Sequence, residues 1–409
     1  MAAHAWMNDE GAAEAMGDDT VRVAINAQLV SFDDSYRNAG ISRYIFTLLE
    51  GLAALDAGQE YTAFMHPSDA DRASDSPLAR AAHLRLLAPA RWSADGPVRR
   101  IAWEQFALPG TLRTLGIDVF HAPANVLPAR LPCPSVVTVH DLAFMRYPQF
   151  FRPARRLYQR RLTARSVARA THVVAVSEST KRDLIELMRV PEERLHVIYP
   201  GIAADFQPVG DPKILASFRA KHGLPERYLL YLGTLEPRKN LLTLVEAYAR
   251  LHGQMADAPP LLLAGAKGWY YEPLFSRVRA LGLERFVVFP GYVARDEQPL
   301  WYAGAELFVF PSLYEGFGLP VVEALACGTP TITSNVSSLP EVAGDVAWQV
   351  DPRSAEALAR LMREVLADGA ARDRMARAGP EWARQFSITR MARAYATLYD
   401  LASSSARTV

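Results

Sequence analysis

Two carboxylates and a glycine-rich turn lie close together between residues 311 and 330. Glu315 directly precedes Gly316-Phe317-Gly318, and Glu323 follows eight positions after Glu315. Free N–H groups at such a turn, and at the start of a helix after it, favour a phosphate or a sugar oxygen. Carboxylates beside those amides are better suited to accept hydrogen bonds from hydroxyl groups. The stretch therefore indicates a ligand that carries both phosphate and many hydroxyls, as a nucleotide sugar does.

The elements around this turn are predicted to be a buried strand and a short helix. Residues 306–310 form an apolar run that is typical of a strand. Pro320 suits the first turn of a helix, and Gly328 followed by Pro330 ends the run of helix formers. One carboxylate is thus placed in the turn and the other early in the helix. The alternative is an ordinary turn in which one glutamate is a solvated cap and the other a solvated helix residue.

A histidine and an aspartate are predicted at the end of another strand. His140-Asp141 follows the apolar run of residues 134–139, and the carboxyl ends of parallel strands face the ligand crevice of an open α/β sheet. The alternative is that His140 is a core histidine with satisfied hydrogen bonds and that Asp141 is a helix cap. His121 also ends a strand but is a second-rank candidate, because the residues around it form a poorer motif.

Two basic residues and one glycine complete the candidates at strand ends. Arg238 and Lys239 follow the strand predicted for residues 228–232, where two cations could clamp a diphosphate and stabilise it as a leaving group. Gly40 lies between the first strand and the next helix, which allows a close backbone approach to an anion. The alternative for the basic pair is an exposed turn with two ordinary basic residues.

The sequence of the central turn and helix is similar to a family signature. Glu315-Gly316-Phe317-Gly318-Leu319-Pro320, then Glu323-Ala324 and Gly328-Thr329-Pro330, resemble the E-x7-E signature of the retaining GT-B glycosyltransferases of family 4. The resemblance extends over nearly the whole chain. It implies an α/β protein of the GT-B fold, in which two Rossmann-like domains face each other across a cleft. It also implies a C-terminal helix that crosses back to the N-terminal domain.

The resemblance implies a role for each candidate residue. By resemblance, Glu315 holds the hydroxyls of the transferred sugar, Glu323 holds the ribose hydroxyls, and His140 hydrogen-bonds the transferred sugar. The residues expected in catalysis are His140, Asp141 and Glu315. The residues expected to bind the donor are Gly40, Arg238, Lys239, Gly316, Phe317, Gly318, Leu319 and Glu323. The family retains the anomeric configuration without needing a metal, so we expect no metal site and no cofactor.

Two loops depart from the pattern of the family. The loop after the first strand usually reads G-G-I-G-R-Y, whereas Ala39 and Ser42 replace two of its glycines here and leave Gly40. Many members have an arginine where this chain has Thr234. We therefore expect Arg238 to take over that role, and the identity of the cationic pair stays open.

Residues 144–177 contain eight arginines and no aspartate or glutamate. A solvated helix face normally mixes charge signs, so this run needs a physical reason. The arginines pair with acids elsewhere in the fold, hold a phosphate-bearing acceptor, or rest the N-terminal half on an anionic membrane. The last two alternatives are compatible if the acceptor is a lipid-linked sugar. The residues singled out for acceptor or membrane contact are Arg155, Arg156, Arg160 and Arg161.

The composition is that of a globular protein with room for two domains. Of 409 residues, 50% are hydrophobic and 22% charged, and the net charge is +1, which implies no general affinity for nucleic acid. Two cysteines far apart in sequence fit a reducing compartment. No stretch approaches the roughly 20 apolar residues of a membrane span. We expect a cytoplasmic protein, with peripheral contact to the inner face of the cell membrane as an open alternative.

The alternation of strand and helix patterns starts again after an irregular segment at 201–215, which is rich in glycine, proline and aspartate. We therefore predict a division of the chain in this segment. The predicted parts are a disordered leader (1–20), an acceptor-binding Rossmann-like domain (21–205), a nucleotide-sugar-binding Rossmann-like domain (206–385), and a crossover helix with a tail (386–409).

The predicted reaction is transfer of a hexose from a nucleotide sugar to a glycan or a lipid-linked saccharide, with retention. The motifs at 236–240 and 314–320 are similar to those of bacterial members that use GDP-mannose in polysaccharide assembly, so mannose from GDP-mannose is the first expectation. UDP- and dTDP-sugars are alternative donors. A nicotinamide-dependent oxidoreductase is disfavoured because no G-x-G-x-x-G follows the first strand. A non-catalytic nucleotide- or carbohydrate-binding protein on the same fold stays open.

Overall fold

The structure, a computed structural model, describes residues 20–32, 40–73, 76–88 and 97–407. The predicted leader lies outside the described residues except for Thr20, and so does Ala39 of the glycine loop. Among the described residues, none of the helices combines the length and the hydropathy of a membrane-spanning segment.

The described strands form two parallel sheets, one in each half of the chain. The N-terminal sheet has the order β3-β2-β1-β4-β5-β6-β7, and the C-terminal sheet has the order β10-β9-β8-β11-β12-β13. The strands of the first sheet are β1 (Arg22–Asn26), β2 (Glu60–Phe64), β3 (Leu84–Leu87), β4 (Val119–Ala122), β5 (Ser135–Val139), β6 (His172–Ala175) and β7 (Leu195–Val197). The strands of the second are β8 (Leu229–Leu232), β9 (Leu261–Ala264), β10 (Val287–Gly291), β11 (Leu307–Phe310), β12 (Thr331–Ser334) and β13 (Trp348–Val350).

Helices connect successive strands in both halves. Those of the N-terminal half are α1 (Ile41–Ala53), α2 (Pro67–Ala73), α3 (Pro97–Ala102), α4 (Leu108–Thr114), α5 (Ala143–Arg146), α6 (Pro153–Arg169) and α7 (Glu178–Met188). Those of the C-terminal half are α8 (Pro212–His222), α9 (Leu241–Gln254), α10 (Glu272–Ala280), α11 (Gln298–Ala303), α12 (Leu319–Ala326), α13 (Leu339–Ala343), α14 (Ala355–Ala367), α15 (Gly369–Ala383) and α16 (Ile388–Arg407). Between α3 and α4 the chain forms a π-helix, Trp103–Ala107.

Apolar strands and capped helices explain why these segments fold as they do. Strands such as β8 and β11 are buried at every residue, because parallel strands are covered on both faces and therefore read as continuous apolar runs. The hydroxyl of Ser177 accepts a hydrogen bond from the Thr180 amide at the start of α7, and Asp211 and Ser354 cap α8 and α14 in the same way. These side chains satisfy amides that the first helical turn leaves without partners.

The strand order reverses beside the first strand of each sheet. The N-terminal sheet reverses between β1 and β4, and the C-terminal sheet between β8 and β11. Ligands of open α/β sheets bind outside the carboxyl ends of the strands at such points. The loop after β8 carries Arg238 and Lys239, and the loop after β11 carries Glu315. Three of the predicted site residues therefore lie at one reversal point.

The last helix, α16, crosses back to the N-terminal half, as predicted, and packs against α1. In the core beneath it, His121 Nδ1 lies 2.7 Å from the Tyr399 hydroxyl and Nε2 lies 2.8 Å from the Thr138 hydroxyl. Burial, with a smaller effect of His140, lowers the pKa of His121 to about 3. His121 therefore anchors the crossing helix as a neutral core residue, and its second-rank prediction as a crevice residue is wrong.

The two parallel sheets confirm the predicted fold of two Rossmann-like domains. The chain passes from one sheet to the other between Val197 and Leu229. The predicted boundary between residues 205 and 206 lies in this connection and stays a prediction.

Candidate active site

The loop after β11 lies directly on the N-terminal domain. A Cβ atom built on Gly316 would lie 1.7 Å from the carbonyl oxygen of His140, so only glycine fits this contact. The Gly316 carbonyl accepts hydrogen bonds from the hydroxyls of Ser177 at 2.6 Å and Thr180 at 3.1 Å. The glycine-rich turn is thus seated against the ends of β5 and β6, with Glu315 beside it.

Glu315 forms ion pairs with both predicted cations. Its Oε2 accepts a hydrogen bond from Arg238 Nη1, and its Oε1 accepts one from Lys239 Nζ, each at 2.7 Å. Arg238 also donates to the carboxylate of Glu236 at 2.8 Å and to the Tyr314 carbonyl at 2.6 Å. The structure therefore brings together residues that were predicted from two separate loops. Glu236 is a fourth charged member that the sequence did not single out.

The charges of this cluster keep Glu315 ionised. Burial acts to raise the pKa of the Glu315 carboxyl, but the Arg238 and Lys239 charges lower it to about 2. Burial acts to lower the pKa of Arg238, and the neighbouring carboxylates, Glu315 first, raise it well above its ordinary value. Removing one partner of such a buried pair costs about 3–5 kcal/mol, because the other charge loses its compensation.

His140 and Asp141 lie on the facing side of the contact, at the end of β5. His140 Nε2 lies 2.7 Å from the carbonyl oxygen of Pro123, and the His140 amide donates to the Asn125 side chain at 3.0 Å. Burial lowers the pKa of His140 in spite of the Pro123 hydrogen bond and the Asp141 charge. The ring is therefore neutral at pH 7, with Nε2 as the donor and Nδ1 as an acceptor.

Asp141 was alternatively predicted to be a helix cap, and one of its oxygens has this role. Oδ1 accepts a hydrogen bond from the Ala143 amide at 3.0 Å, at the start of α5. Asp141 also contributes to the raised pKa of Arg238, so its negative charge acts on the ion-pair cluster across the domain contact. The capping role therefore leaves the predicted catalytic role of Asp141 open.

Glu323 is fully buried early in α12 and is tied to the N-terminal domain by Arg43. Its Oε1 lies 2.6 Å from Arg43 Nη2, and its Oε2 accepts a hydrogen bond from the Tyr302 hydroxyl at 3.0 Å. The Oε1 contact is an ion pair without a well-aligned hydrogen bond. Arg43 lies in the first turn of α1. This helix begins directly after Gly40, which has a positive φ of 48°. Gly40 and Glu323 thus belong to one region of the cleft.

The glycine-rich turn leaves amides free at the start of α12. In the described part of the chain, nothing accepts a hydrogen bond from the amides of Gly316, Phe317 and Gly318. Gly318 has a left-handed φ of 115° and precedes Leu319, the first residue of α12. The Phe317 side chain packs on Phe386 in the core, so only its backbone is available to a ligand. The turn was predicted to offer free amides to an anion; the structure leaves these amides without a protein acceptor among the described residues, and anion binding stays a prediction.

Two serines after β12 hold the glutamate loop and were not predicted. Ser337 Oγ accepts a hydrogen bond from the Glu315 amide at 2.9 Å. Ser338 Oγ donates to the carbonyls of Glu315 at 3.0 Å and Phe317 at 2.6 Å. The rule that strand ends share one edge of a sheet could have identified both serines, because they follow the strand at 331–334. Arg43 gave no such signal, since its partner lies in the other domain.

The four arginines singled out on α6 are exposed and have no ion pair with any residue that the structure describes. Arg155 instead lies 5.8 Å from the ring centroid of Trp269 in the other domain. Arg146, from the same basic run, pairs with Asp183 and Glu186. Pairing with internal acids therefore explains Arg146, whereas it does not explain Arg155, Arg156, Arg160 and Arg161.

The fold and the site together define a class of enzyme. Two parallel-sheet domains, a C-terminal helix that crosses back, and a glutamate turn bound to two cations at a strand reversal point are the features of a GT-B glycosyltransferase. The structure is similar to sucrose-phosphate synthase from Thermosynechococcus elongatus, with a TM-score of 0.74 and 25% identity over 93% of this chain and 98% of that one.

Residues 38–206 match the family model described as Glycosyltransferase Family 4, and residues 216–382 match the one described as Glycosyl transferases group 1. The chain belongs to glycosyltransferase family 4. It is 32% identical over 366 residues to the O-antigen chain mannosyltransferase B of Escherichia coli. The aligned residues make up 86% of this chain and 93% of that protein. It is 34% identical over 237 residues to the GDP-mannose-dependent alpha-(1-6)-phosphatidylinositol monomannoside mannosyltransferase of Mycobacterium tuberculosis, over 54% of this chain and 60% of that protein.

Membership in this family decides between the predicted classes. The chain is a glycosyltransferase, as the resemblance implied. The alternatives of a nicotinamide-dependent oxidoreductase and of a non-catalytic binding protein are therefore dropped.

Proposed function

We propose that this glycosyltransferase transfers mannose from GDP-mannose, with retention, to a saccharide acceptor that is a glycan or a lipid-linked sugar. The observation that carries the proposal is the buried Glu315 cluster with Arg238 and Lys239, which faces His140 across the domain contact. The choice of mannose is supported by the names of the two relatives, both mannosyltransferases, one of them GDP-mannose-dependent.

The cations of the cluster have hydrogen-bond donors left for a diphosphate. Lys239 uses one of its three N–H donors on Glu315, and Arg238 uses three of its five on Glu315, Glu236 and Tyr314. The remaining donors, together with the free amides of the glycine-rich turn, would hold the diphosphate and stabilise it as it leaves. Glu323, farther along α12, would accept hydrogen bonds from the ribose hydroxyls.

The retaining reaction would take place between Glu315 and His140. Glu315 would accept hydrogen bonds from hydroxyls of the transferred sugar and so fix its anomeric carbon above the diphosphate. Neutral His140 would accept a hydrogen bond from a sugar hydroxyl at Nδ1, because Nε2 already donates to the Pro123 carbonyl. The departing phosphate would take the proton of the attacking hydroxyl on the same face of the sugar. The closed contact at Gly316 would exclude water and limit hydrolysis of the donor.

We further propose that the reaction needs no metal. In the part of the chain that the structure describes, no group of three or more His, Cys, Asp or Glu side chains is arranged to hold a metal ion. Arg238 and Lys239 supply the positive charge that a metal would otherwise place on the departing diphosphate.

A transfer assay with a panel of donors tests this function. GDP-mannose, UDP-glucose and a dTDP-deoxyhexose are each incubated with a mannosyl oligosaccharide, with EDTA and with magnesium. We expect product from GDP-mannose in both conditions, and an α-linked sugar by NMR, as in the donor. If product forms only with a UDP- or dTDP-sugar, that sugar and not mannose is the one transferred. A β-linked product, or dependence on magnesium, would contradict the retaining or the metal-free part of the proposal.

Glu323→Gln is expected to weaken GDP binding by about tenfold or more, because hydrogen bonds to a charged partner contribute about 1.5–3 kcal/mol each. The dissociation constant is measured by titration calorimetry. Tyr302→Phe is the matched control, since it removes the hydroxyl that donates to Oε2 but leaves the carboxylate. Equal affinity of wild type and Glu323→Gln would show that Glu323 serves only its contacts with Arg43 and Tyr302.

We also propose that the exposed arginines of α6 contact an anionic lipid surface or a lipid-linked acceptor. They surround Leu157 and Tyr158, which are 49% and 48% exposed. Basic residues next to exposed apolar side chains are a combination that favours the surface of a membrane.

Replacing Arg155, Arg156, Arg160 and Arg161 together by Gln is expected to reduce binding to anionic vesicles at least tenfold. Each basic residue near such a surface contributes about 1 kcal/mol. Binding is measured by co-sedimentation with vesicles that contain anionic lipid, and vesicles of neutral lipid alone serve as the reference. The matched control replaces four exposed arginines of α15 and α16 by Gln, namely Arg374, Arg377, Arg390 and Arg393. An equal loss of vesicle binding in the control would mean that the net charge of the protein, and not the α6 surface, determines binding.

A further inference from the structure

A cavity of about 620 Å³ opens into the N-terminal domain beside the cleft. It lies between α6, the π-helix Trp103–Ala107 and the loop that follows β4. Asn26 and Ala122, at the ends of β1 and β4, line it at the point where the strand order reverses. Its volume is within the range of about 300–1,000 Å³ that ligand sites occupy. The position and the size are those of a binding site in an open α/β sheet.

The cavity adjoins the reacting end of the active site. Pro123 and Asn125 line it, and both also hold His140, through the Pro123 carbonyl and the Asn125 side chain. A ligand in the cavity would therefore lie one residue away from the histidine that is proposed to contact the transferred sugar.

A buried carboxylate forms part of the wall. Glu104 is 9% exposed and lines the cavity. Its Oε1 accepts a hydrogen bond from the Asn26 side chain at 3.0 Å and lies 3.7 Å from Arg100 Nε. Nothing in the described part of the chain donates a hydrogen bond to Oε2. Burial raises the pKa of Glu104 more than Asn26 and Arg100 lower it, so additional donors would stabilise its charged form.

Two further polar atoms in this wall are buried without a hydrogen-bond partner among the described residues. They are Arg100 Nε, a donor, and Gln159 Oε1, an acceptor. Buried polar atoms are nearly always hydrogen-bonded, and exceptions in a cavity wall point to a ligand or water. A donor and two acceptors in the lining of one cavity complement hydroxyl groups, which both donate and accept.

The backbone at Glu104 is unusual. The segment Trp103–Ala107 is a π-helix, in which the Leu108 amide bonds to the Trp103 carbonyl. Trp103 is buried, whereas Phe106 is 82% exposed. Single π-turns are rare and occur frequently at functional sites, because the extra residue redirects a side chain. Here the wider turn places Glu104 on the cavity and Phe106 in solvent.

We propose that Glu104 binds the acceptor of the transfer reaction, by accepting hydroxyls of a neutral saccharide ring that occupies this cavity. The inference rests on the proposed function. Gln159 and Arg100 complete the polar side of the subsite, and Leu127 and Leu162 form an apolar side for the ring's C–H groups. A phosphate in contact with Glu104 is disfavoured by the carboxylate, so any phosphate of a lipid-linked acceptor lies outside this subsite. Glu104 is a specificity-determining residue for the acceptor and takes no part in binding the donor.

Glu104→Gln tests the assignment through a split of kinetic constants. With GDP-mannose and a mannosyl oligosaccharide, the acceptor KM is expected to rise about tenfold or more, as loss of a charged hydrogen-bond partner implies. The donor KM and the slow hydrolysis of the donor by water are expected to stay within about twofold, because neither uses the cavity. Glu104→Asp is expected to restore part of the acceptor affinity. Phe106→Ser, on the same π-helix but exposed, is the matched control and leaves the acceptor KM unchanged.

An equal fall of transfer and donor hydrolysis in Glu104→Gln, with an unchanged acceptor KM, would overturn the assignment and make Glu104 a packing residue. Saturation-transfer NMR with mannobiose provides a readout that does not depend on turnover. Binding to the wild type that is lost in Glu104→Gln supports the subsite even if GDP-mannose is not the donor. Equal binding to both proteins, or binding to neither, contradicts it. Failure of every donor with the wild type contradicts the proposed function separately.

Discussion

Glu315→Gln is expected to lower kcat by two to three orders of magnitude while GDP binds at least as tightly as to the wild type. A carboxylate that fixes the transferred sugar contributes to the transition state, and loss of one such polar contact costs about 10²–10³ in kcat. The variant also frees Arg238 and Lys239 from their shared carboxylate. Both cations then have more donors for a diphosphate, so nucleotide affinity does not fall. Single-turnover rates and GDP titrations measure the two effects.

The same variant is expected to change how stability depends on pH. The pKa of Glu315 is lowered from 4.5 to about 2 in the folded protein, so the unfolded chain binds the proton more tightly. The ion pairs therefore stabilise the wild type fully above about pH 4.5 and lose this effect as the pH falls towards 2, by about 3 kcal/mol in total. The difference in unfolding free energy between wild type and Glu315→Gln should shrink over this window, as measured by urea unfolding.

Glu236→Gln is the matched control for the kinetic effect. The Glu236 carboxylate also pairs with Arg238, at 2.8 Å, whereas Lys239 forms its ion pair with Glu315. It should lower stability and leave kcat within a few-fold of wild type. If Glu315→Gln lost only stability and kept its kcat per folded molecule, Glu315 would be a structural counter-ion and the proposed sugar contact would be wrong.

Gly316→Ala is expected to impair transfer strongly and to destabilise the contact between the domains. The added methyl group would lie 1.7 Å from the His140 carbonyl oxygen, 2.8 Å from its carbonyl carbon and 3.0 Å from the Asp141 Cβ. Backbone atoms on both sides cannot move away individually, so the domains would have to separate. Separation also breaks the hydrogen bonds from Ser177 and Thr180 to the Gly316 carbonyl. We expect kcat/KM to fall at least a hundredfold, since displacements of about 1 Å have this effect.

Gly253→Ala is the control for adding a methyl group at a glycine. Gly253 is exposed in α9 with nothing within 4 Å of a Cβ, so alanine should leave activity unchanged and stabilise the helix by about 0.5–1 kcal/mol. Small-angle scattering compares the domain separation of the two variants. Wild-type activity and an unchanged scattering profile for Gly316→Ala would mean that the domain contact at Gly316 is not part of the active enzyme.

Local patterns predicted the fold and most of the ion-pair cluster. Apolar runs such as the one at 229–232 are buried strands. The rule that ligands bind at the carboxyl ends of parallel strands predicts Arg238 and Glu315 at one edge of the sheet. Glycine with a positive φ at Gly318 and the early proline of α12 agree with the predicted start of that helix.

The contacts between domains could not be predicted in this way. Arg43 is an ordinary basic residue of an amphipathic helix until the fold brings it to Glu323. Glu104 lies in a π-helix, whose extra residue breaks the 3.6-residue period that sequence patterns detect. The strand-end position of His121 does not predict its buried environment, because Tyr399 of α16 covers that edge of the sheet.

Binding of GDP in the presence of EDTA tests most directly whether the cleft holds a guanosine nucleotide without a metal. Thermal unfolding is followed with GDP, UDP, dTDP and ADP, for the wild type and Glu323→Gln. A ligand that binds only the folded protein raises its stability by an amount set by its concentration and affinity. We predict that GDP raises the unfolding temperature of the wild type most, equally with EDTA and with magnesium, and raises that of Glu323→Gln far less. No rise with any of the four nucleotides, or a rise that requires magnesium, would contradict the proposed site.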